Sequence, residues 1–199
     1  MRGTLILVLA LALGTAVAGC TGLTTAAVPG QSTTPTAASA TPTAQEIDRT
    51  FISAMVVHHA AAVEMAQVEV QRGQRAEVKQ LALQIISAQE GEIRQLQQIA
   101  QHDFNFTPST TLPTTPQQGV LMGEPILMDF PRQISDLKST SDPDTMFLQM
   151  MIPHHAMAIV QADTQMTYGS DPRLKAISQN IISSQSRQIG EMEDLLQHH

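Results

Sequence analysis

Met55-Val56-Val57-His58-His59-Ala60 returns as Met151-Ile152-Pro153-His154-His155-Ala156. Adjacent histidines inside an apolar run are uncommon, and here the run occurs twice. The offset is 154 − 58 = 96, and it carries well beyond the histidines. It pairs Phe51 with Phe147, Ala66 with Ala162, Gly73 with Gly169 and Lys79 with Lys175. It also pairs Ile85-Ile86-Ser87 with Ile181-Ile182-Ser183, Gln89 with Gln185, and Ile93 with Ile189. No gap is needed over roughly fifty residues, which identifies a duplicated unit. Each copy carries one Met-x-x-His-His element.

Each copy reads as a helical hairpin. Thr43-x-x-Glu46 is a capping box, and apolar residues from Ile47 recur every three or four positions. The first helix is expected over 44–71, stopping at Gly73 in a left-handed position after the helix end. The second is expected over 75–102, with Val78, Leu81, Ile85, Leu96 and Ile99 on its buried face. In the second copy Asp142 caps and Pro143 occupies the first turn, so a third helix runs to Tyr168 and ends at Gly169. Asp171-Pro172 restarts the chain for a fourth helix reaching Gln197. Two such hairpins bury their apolar stripes by packing together, which predicts an all-α four-helix bundle over 44–199. Repeat one occupies 44–102 and repeat two 142–199. The connection over 103–141 contains Pro108, Pro113, Pro116, Pro125 and Pro131, and crosses the bundle with one short helix around 133–138. Pro153 should kink the third helix just before its histidine pair and free a backbone carbonyl there.

Ahead of the bundle, Met1-Arg2 and the apolar run from Leu5 to Val17 have the proportions of a secretory signal, covering 1–19. Val17-Ala18-Gly19-Cys20 resembles a bacterial lipobox, in which the chain is cut before the cysteine and the thiol is lipidated. Cys20 is the only cysteine, so acylation would exclude disulfides and a thiol nucleophile together. The alternative is an ordinary secreted protein with an incidental cysteine. Residues 20–43 turn to Thr, Ala, Pro, Ser and Gly without charge, a composition suited to a disordered tether. The expected location is the extracytoplasmic face of a membrane, held by the lipid. A net charge of −7 and a pI near 5.4 argue against nucleic acid as a partner. Homodimerisation is left open.

At roughly 100° per residue, Met55, His58 and Met65 share one sector of the first helix, with His59 on its flank. In the second copy Met150, His154 and Met157 share a stripe, with Met151 beside His155. Thioether sulfur is a soft ligand and imidazole a borderline one. Without thiolate or dense carboxylate, the set favours copper, Cu(I) above all. Zinc would need four imidazoles or recruitment of Glu64. A di-iron oxidase site needs Glu-x-x-His pairs, which this sequence lacks. Other catalytic signatures are missing too, including Gly-x-Ser-x-Gly, phosphate loops and His-Glu-x-x-His. Glu90 and Glu92 point apart and are expected to be solvated. His198-His199 with Asp194 is either a weak exposed site or a frayed end, and His102 suits a helix terminus. Two other readings stay open: a partner-binding module whose histidines satisfy core hydrogen bonds, and a metal-dependent oxidoreductase.

Met151-Ile152-Pro153-His154-His155, its counterpart Met55-Val56-Val57-His58-His59, Ala62-Val63-Glu64-Met65-Ala66 and the closing Gln185-x-x-x-Ile189-x-x-Met192 together resemble a bacterial family, domain of unknown function 305. The resemblance covers about residues 45–196. It implies a ferritin-like four-helix bundle, usually exported, with some members tied to copper binding and copper resistance through Met and His ligands. Val57 in place of proline and Gln161 in place of methionine depart from the pattern, so the two copies are not equivalent.

Overall fold

A computed structural model describes residues 41–114 and 129–198. The expected signal sequence, Cys20 and most of the expected tether lie outside the described residues. Five helices form the described part: α1 (Ala44–Arg72), α2 (Ala76–Asp103), α3 (Phe130–Ser139), α4 (Pro143–Tyr168) and α5 (Pro172–Gln197). Both halves of the predicted capping box are made, Thr43 receiving the Glu46 amide and donating its own to the Glu46 carboxylate at 2.7 Å. Asp142 and Asp171 cap α4 and α5, each followed by proline in the first turn. The hairpins α1–α2 and α4–α5 pack mainly through α1 against α4, while α2 and α5 touch lightly. The architecture is the all-α four-helix bundle expected, with α3 laid across α1 and α4. Most of the apolar length of α1 is buried, as befits a core helix.

The helix α3 is longer than the short segment expected, because Asp129 caps it and Pro131 starts it. Phe130, Ile134 and Leu137 bury one face of it, and Arg72 donates to the Leu137 and Thr140 carbonyls at 2.6 and 2.8 Å. Pro153 does not interrupt α4. Its ring lies on the exposed face, and the carbonyl that loses its donor belongs to Gln149, also exposed. The expected loss of a backbone bond therefore falls on the solvent side of the helix.

The two hairpins clamp each other reciprocally. Asp48 of α1 accepts from the backbone amides of Ser170 and Asp171 in the α4–α5 turn, at 3.0 Å each, and from Gln165 Nε2 at 3.0 Å. Asp144, its copy-two counterpart, accepts from the amides of Gln74 and Arg75 in the α1–α2 turn, at 2.9 Å each. Gly73 is not left-handed as expected, having φ of −56°, and Gly169 has φ of −72°. They are required for space instead. A Cβ on Gly73 would lie 1.9 Å from Glu69 Oε1, and one on Gly169 would lie 2.3 Å from Asp48 Oδ1.

The repeat offset that carries Asp48 to Asp144 also carries Glu69 to Gln165. Where Gln165 donates an amide hydrogen to Asp48, Glu69 offers a carboxyl to Asp144. Two adjacent carboxyls can bond only if one keeps its proton. Burial, reinforced by Asp144, raises the Glu69 pKa to about 8, with Lys79 opposing and Asp142 adding to the shift. The folded chain thus holds a proton that the unfolded chain releases near 4.5. Stability from this group is full below that value, falls as pH rises towards about 8, and levels off above it. Glu69→Gln supplies a permanent donor and should raise the melting temperature at pH 8 clearly more than at pH 5. An equal shift at both pH values would contradict the shared proton.

Candidate metal centre

The core has two apolar clusters. Leu148, Met151, Met65, Leu81 and Ile85 belong to one, while Phe51, Met55, Leu96, Leu174 and Ile181 belong to the other. Along every long helix, the chain between them is occupied by polar side chains: His58 and His59, Gln89 and Glu92, His154 and His155, Gln185 and Gln188. All four histidines are fully buried.

The pairs divide by role. His58 and His154 face each other across the α1–α4 joint, with ring centroids 3.7 Å apart and planes tilted by 46°. Phe130 of α3 closes over both, its ring edge-on to His58 at 5.9 Å and 5.5 Å from His154. Neither nitrogen of either inner ring has a hydrogen-bond partner within the protein. His59 and His155 lie outside this pair and do have partners. His59 Nε2 is 2.7 Å from Glu92 Oε2, and His155 Nε2 is 2.9 Å from Gln188 Oε1. Each outer ring leaves its Nδ1 buried and unpartnered.

Burial, strengthened by the neighbouring histidines, holds His58 and His154 well below the usual imidazole range. His155 is lowered to about 4, burial outweighing the opposing hydrogen bond to the Gln188 oxygen. Neutral imidazoles keep their lone pairs available. A buried imidazole nitrogen with no partner costs roughly 1–3 kcal/mol, so six such atoms in one layer make a poor structural core. The reading in which the histidines satisfy core hydrogen bonds fits only the outer pair.

The methionines surround this layer unevenly. Met55 is buried in one apolar cluster, and Met65 and Met151 are buried in the other. Met150 and Met157 are only half-buried against the second cluster, and Met157 lines a groove on the α1–α4 surface with Phe51, Val160 and Gln161. Glu64 is engaged at the surface by Lys138 at 3.1 Å, away from any zinc role. Among the described residues no group of three or more His, Cys, Asp or Glu side chains stands close enough to hold an ion as the side chains lie. His102 is exposed beside Asp103, and His198 Nδ1 lies 2.7 Å from the Asp194 carbonyl, away from the histidine layer.

Glu92 corrects the expectation of a solvated side chain. It is 15% exposed, lies against His59 and lines a cleft between α2 and α5 with Gln95, Asn180 and Ser184. Phe130, Gln188 and the buried, unpartnered Gln89 and Gln185 were also absent from the predicted site. The repeat itself held the signal: the same offset that aligns the histidines aligns Glu92 with Gln188 and Gln89 with Gln185. Phe130 carried none, lying in a connection without a repeat counterpart.

The sequence profile of a family described as domain of unknown function (DUF305) matches residues 21–100 and 48–196. This chain belongs to the DUF305 family. Among solved structures, CopM in the Cu(II)-bound form is 32% identical, covering 76% of this chain and 96% of that one, with a TM-score of 0.65. CopM in the Cu(I)-bound form is 30% identical over 76% of this chain and 96% of that one, with a TM-score of 0.63. A DUF305 fragment from Deinococcus radiodurans, 24% identical, shares the fold with a TM-score of 0.66, covering 79% of this chain and all of that one. The uncharacterized protein L153 of Acanthamoeba polyphaga mimivirus is 42% identical over 53 residues, 27% of this chain. The match spans only 35% of that curated relative. A protein of this fold has therefore been solved with copper bound in both oxidation states.

The depressed imidazoles make a sign-specific prediction for the metal-free protein. The unfolded chain takes up protons on these rings near pH 6.5 and the folded chain does not. Their contribution to stability is present above that pH and is lost as pH falls through the lower folded values, which for His155 is about 4. Nitrogen-detected imidazole spectra should show His58 and His154 still neutral at pH 6.5, where a free imidazole is half protonated. Protonation of either near 6.5 would refute their burial as neutral rings.

Proposed function

We propose that this chain is an extracytoplasmic copper-binding protein that sequesters or passes on the ion, Cu(I) in preference to Cu(II). One observation carries the reading: His58 and His154 stand 3.7 Å apart in a closed layer with every ring nitrogen unpartnered. A soft cation accepting those lone pairs would relieve the cost of burying them. The thioethers of Met55, Met65 and Met151 lie buried in the clusters on either side of the layer and are the soft donors we assign to completing coordination. Further support comes from the copper-bound CopM structures within the same family. Binding rather than turnover is the role, and His59 and His155 serve as the outer imidazoles of the same set. Met150 and Met157, half-buried, are secondary candidates.

Titration of the metal-free protein with Cu(I) under reducing conditions, against a competing chelator, tests this directly. Affinity should be well beyond micromolar, and His58→Ala with His154→Ala should weaken it by more than about 100-fold, the upper range for losing a supporting residue alone. Micromolar affinity, or affinity that survives loss of His58, His59, His154 and His155, would show the copper reading to be wrong.

We further propose that a lipid on Cys20 tethers the domain to the membrane, supported by the small residues Ala18 and Gly19 before the cysteine and the apolar run ahead of them. Cys20→Ser should shift the protein from the membrane to the soluble fraction. Retention of the variant in the membrane would argue against the anchor.

A further inference from the structure

The repeat builds the outer half of the histidine layer twice, with one difference. His59 and His155 are equivalent by the offset, and so are their partners Glu92 and Gln188. Both contacts use the same ring atom, Nε2, at 2.7 Å to the Glu92 carboxylate and 2.9 Å to the Gln188 carboxamide oxygen. The geometry is conserved between copies while the charge is not.

That difference has two chemical consequences. A carboxylate only accepts, so the nitrogen facing it must carry the ring hydrogen, which leaves the lone pair of His59 on the buried Nδ1. A carboxamide can turn over and present either its oxygen or its NH₂, so Gln188 does not fix the tautomer of His155 by its chemistry. The carboxylate also places a negative charge behind His59, which raises the ring's basicity as a donor. An anion attracts a dication about twice as strongly as a monocation at the same distance.

We propose that Glu92 is a positioning residue that, acting through His59, sets how strongly the site holds Cu(II) relative to Cu(I), with Gln188 as its neutral counterpart on the other half. The assignment rests on the copper reading above, and it goes beyond it by naming the residue that weighs the two oxidation states. The repeat supplies the control variant. Glu92→Gln makes copy one resemble copy two at this position, a near-isosteric change that the Gln188 contact shows the bundle can carry.

The test uses the full chain, Cu(II), and Ag(I) as a monovalent probe that cannot change oxidation state under these conditions. Glu92→Gln should weaken Cu(II) binding by about 10–100-fold and Ag(I) binding by only the square root of that loss, about 3–10-fold. The exchanged variant, Glu92→Gln with Gln188→Glu, should recover most of the Cu(II) affinity. A readout without metal comes from nitrogen spectra of the imidazoles. His59 should be a single Nε2–H tautomer in the native protein and a mixture in Glu92→Gln. Equal loss of both metals, or of neither, overturns the assignment and leaves Glu92 as a structural partner only. If the native protein binds neither metal, the copper reading fails on its own. A His59 that is not the Nε2–H tautomer in the native protein overturns the positioning role whatever the metals do.

Discussion

The register of α1 against α4 governs this molecule, and two carboxylates set it. Asp48 near the start of α1 reaches the turn beyond α4, and Asp144 at the start of α4 reaches the turn beyond α1. Each bridge also meets the side chain one turn before that hairpin's glycine, Gln165 for Asp48 and Glu69 for Asp144. On both helices the histidine pair lies midway between the two bridges, about 15 Å from each at the rise of an α-helix. Holding antiparallel helices at both ends brings their midpoints level, and that is where His58 meets His154. A slip of one residue would rotate either ring by roughly 100° out of the joint.

The same clamps explain where the glycines went. A glycine after a helix suggests a left-handed cap, which is how Gly73 reads in the sequence. The actual φ values of Gly73 and Gly169 are open to any residue, and the demand is for space: a Cβ on Gly73 would meet Glu69 of its own helix, and one on Gly169 would meet Asp48 of α1 and Gln165. A one-dimensional pattern shows that a small residue is needed at a turn. It does not show that at Gly169 part of the need comes from Asp48 on another helix.

Much of the bundle was legible because it rests on local chemistry repeated twice. Capping by Thr43, Asp142 and Asp171 and the apolar periodicity each act within a turn or two, and each can be read off the chain. The histidines were legible for the same reason, being duplicated in place. What escaped were contacts between elements. Glu92 looked like a surface residue because its helix is polar around it, and only the α1–α2 packing shows that its carboxylate meets a buried ring. Phe130 looked like loop, and only the docking of α3 by Arg72 and its own apolar face brings it over the inner imidazoles.

Duplication tends to be read as two equal sites, and here that picture fails at the level of charge. The offset preserves each hydrogen-bond position while exchanging acid for amide twice: Glu69 for Gln165 at the clamps and Glu92 for Gln188 at the histidines. Both acids fall in the first copy. At the clamp the acid must keep a proton to imitate the amide, so the pair works the same way on both sides. At the histidine the acid meets a ring that can itself supply the hydrogen, so it needs no proton and brings its charge into the layer. The same substitution therefore demands a proton at one place and brings a charge at the other, and the partner decides which: a carboxylate facing a carboxylate must share, whereas a carboxylate facing an imidazole polarises it. Two hairpins of one pattern thus present one charged and one neutral side to a single buried pair of rings.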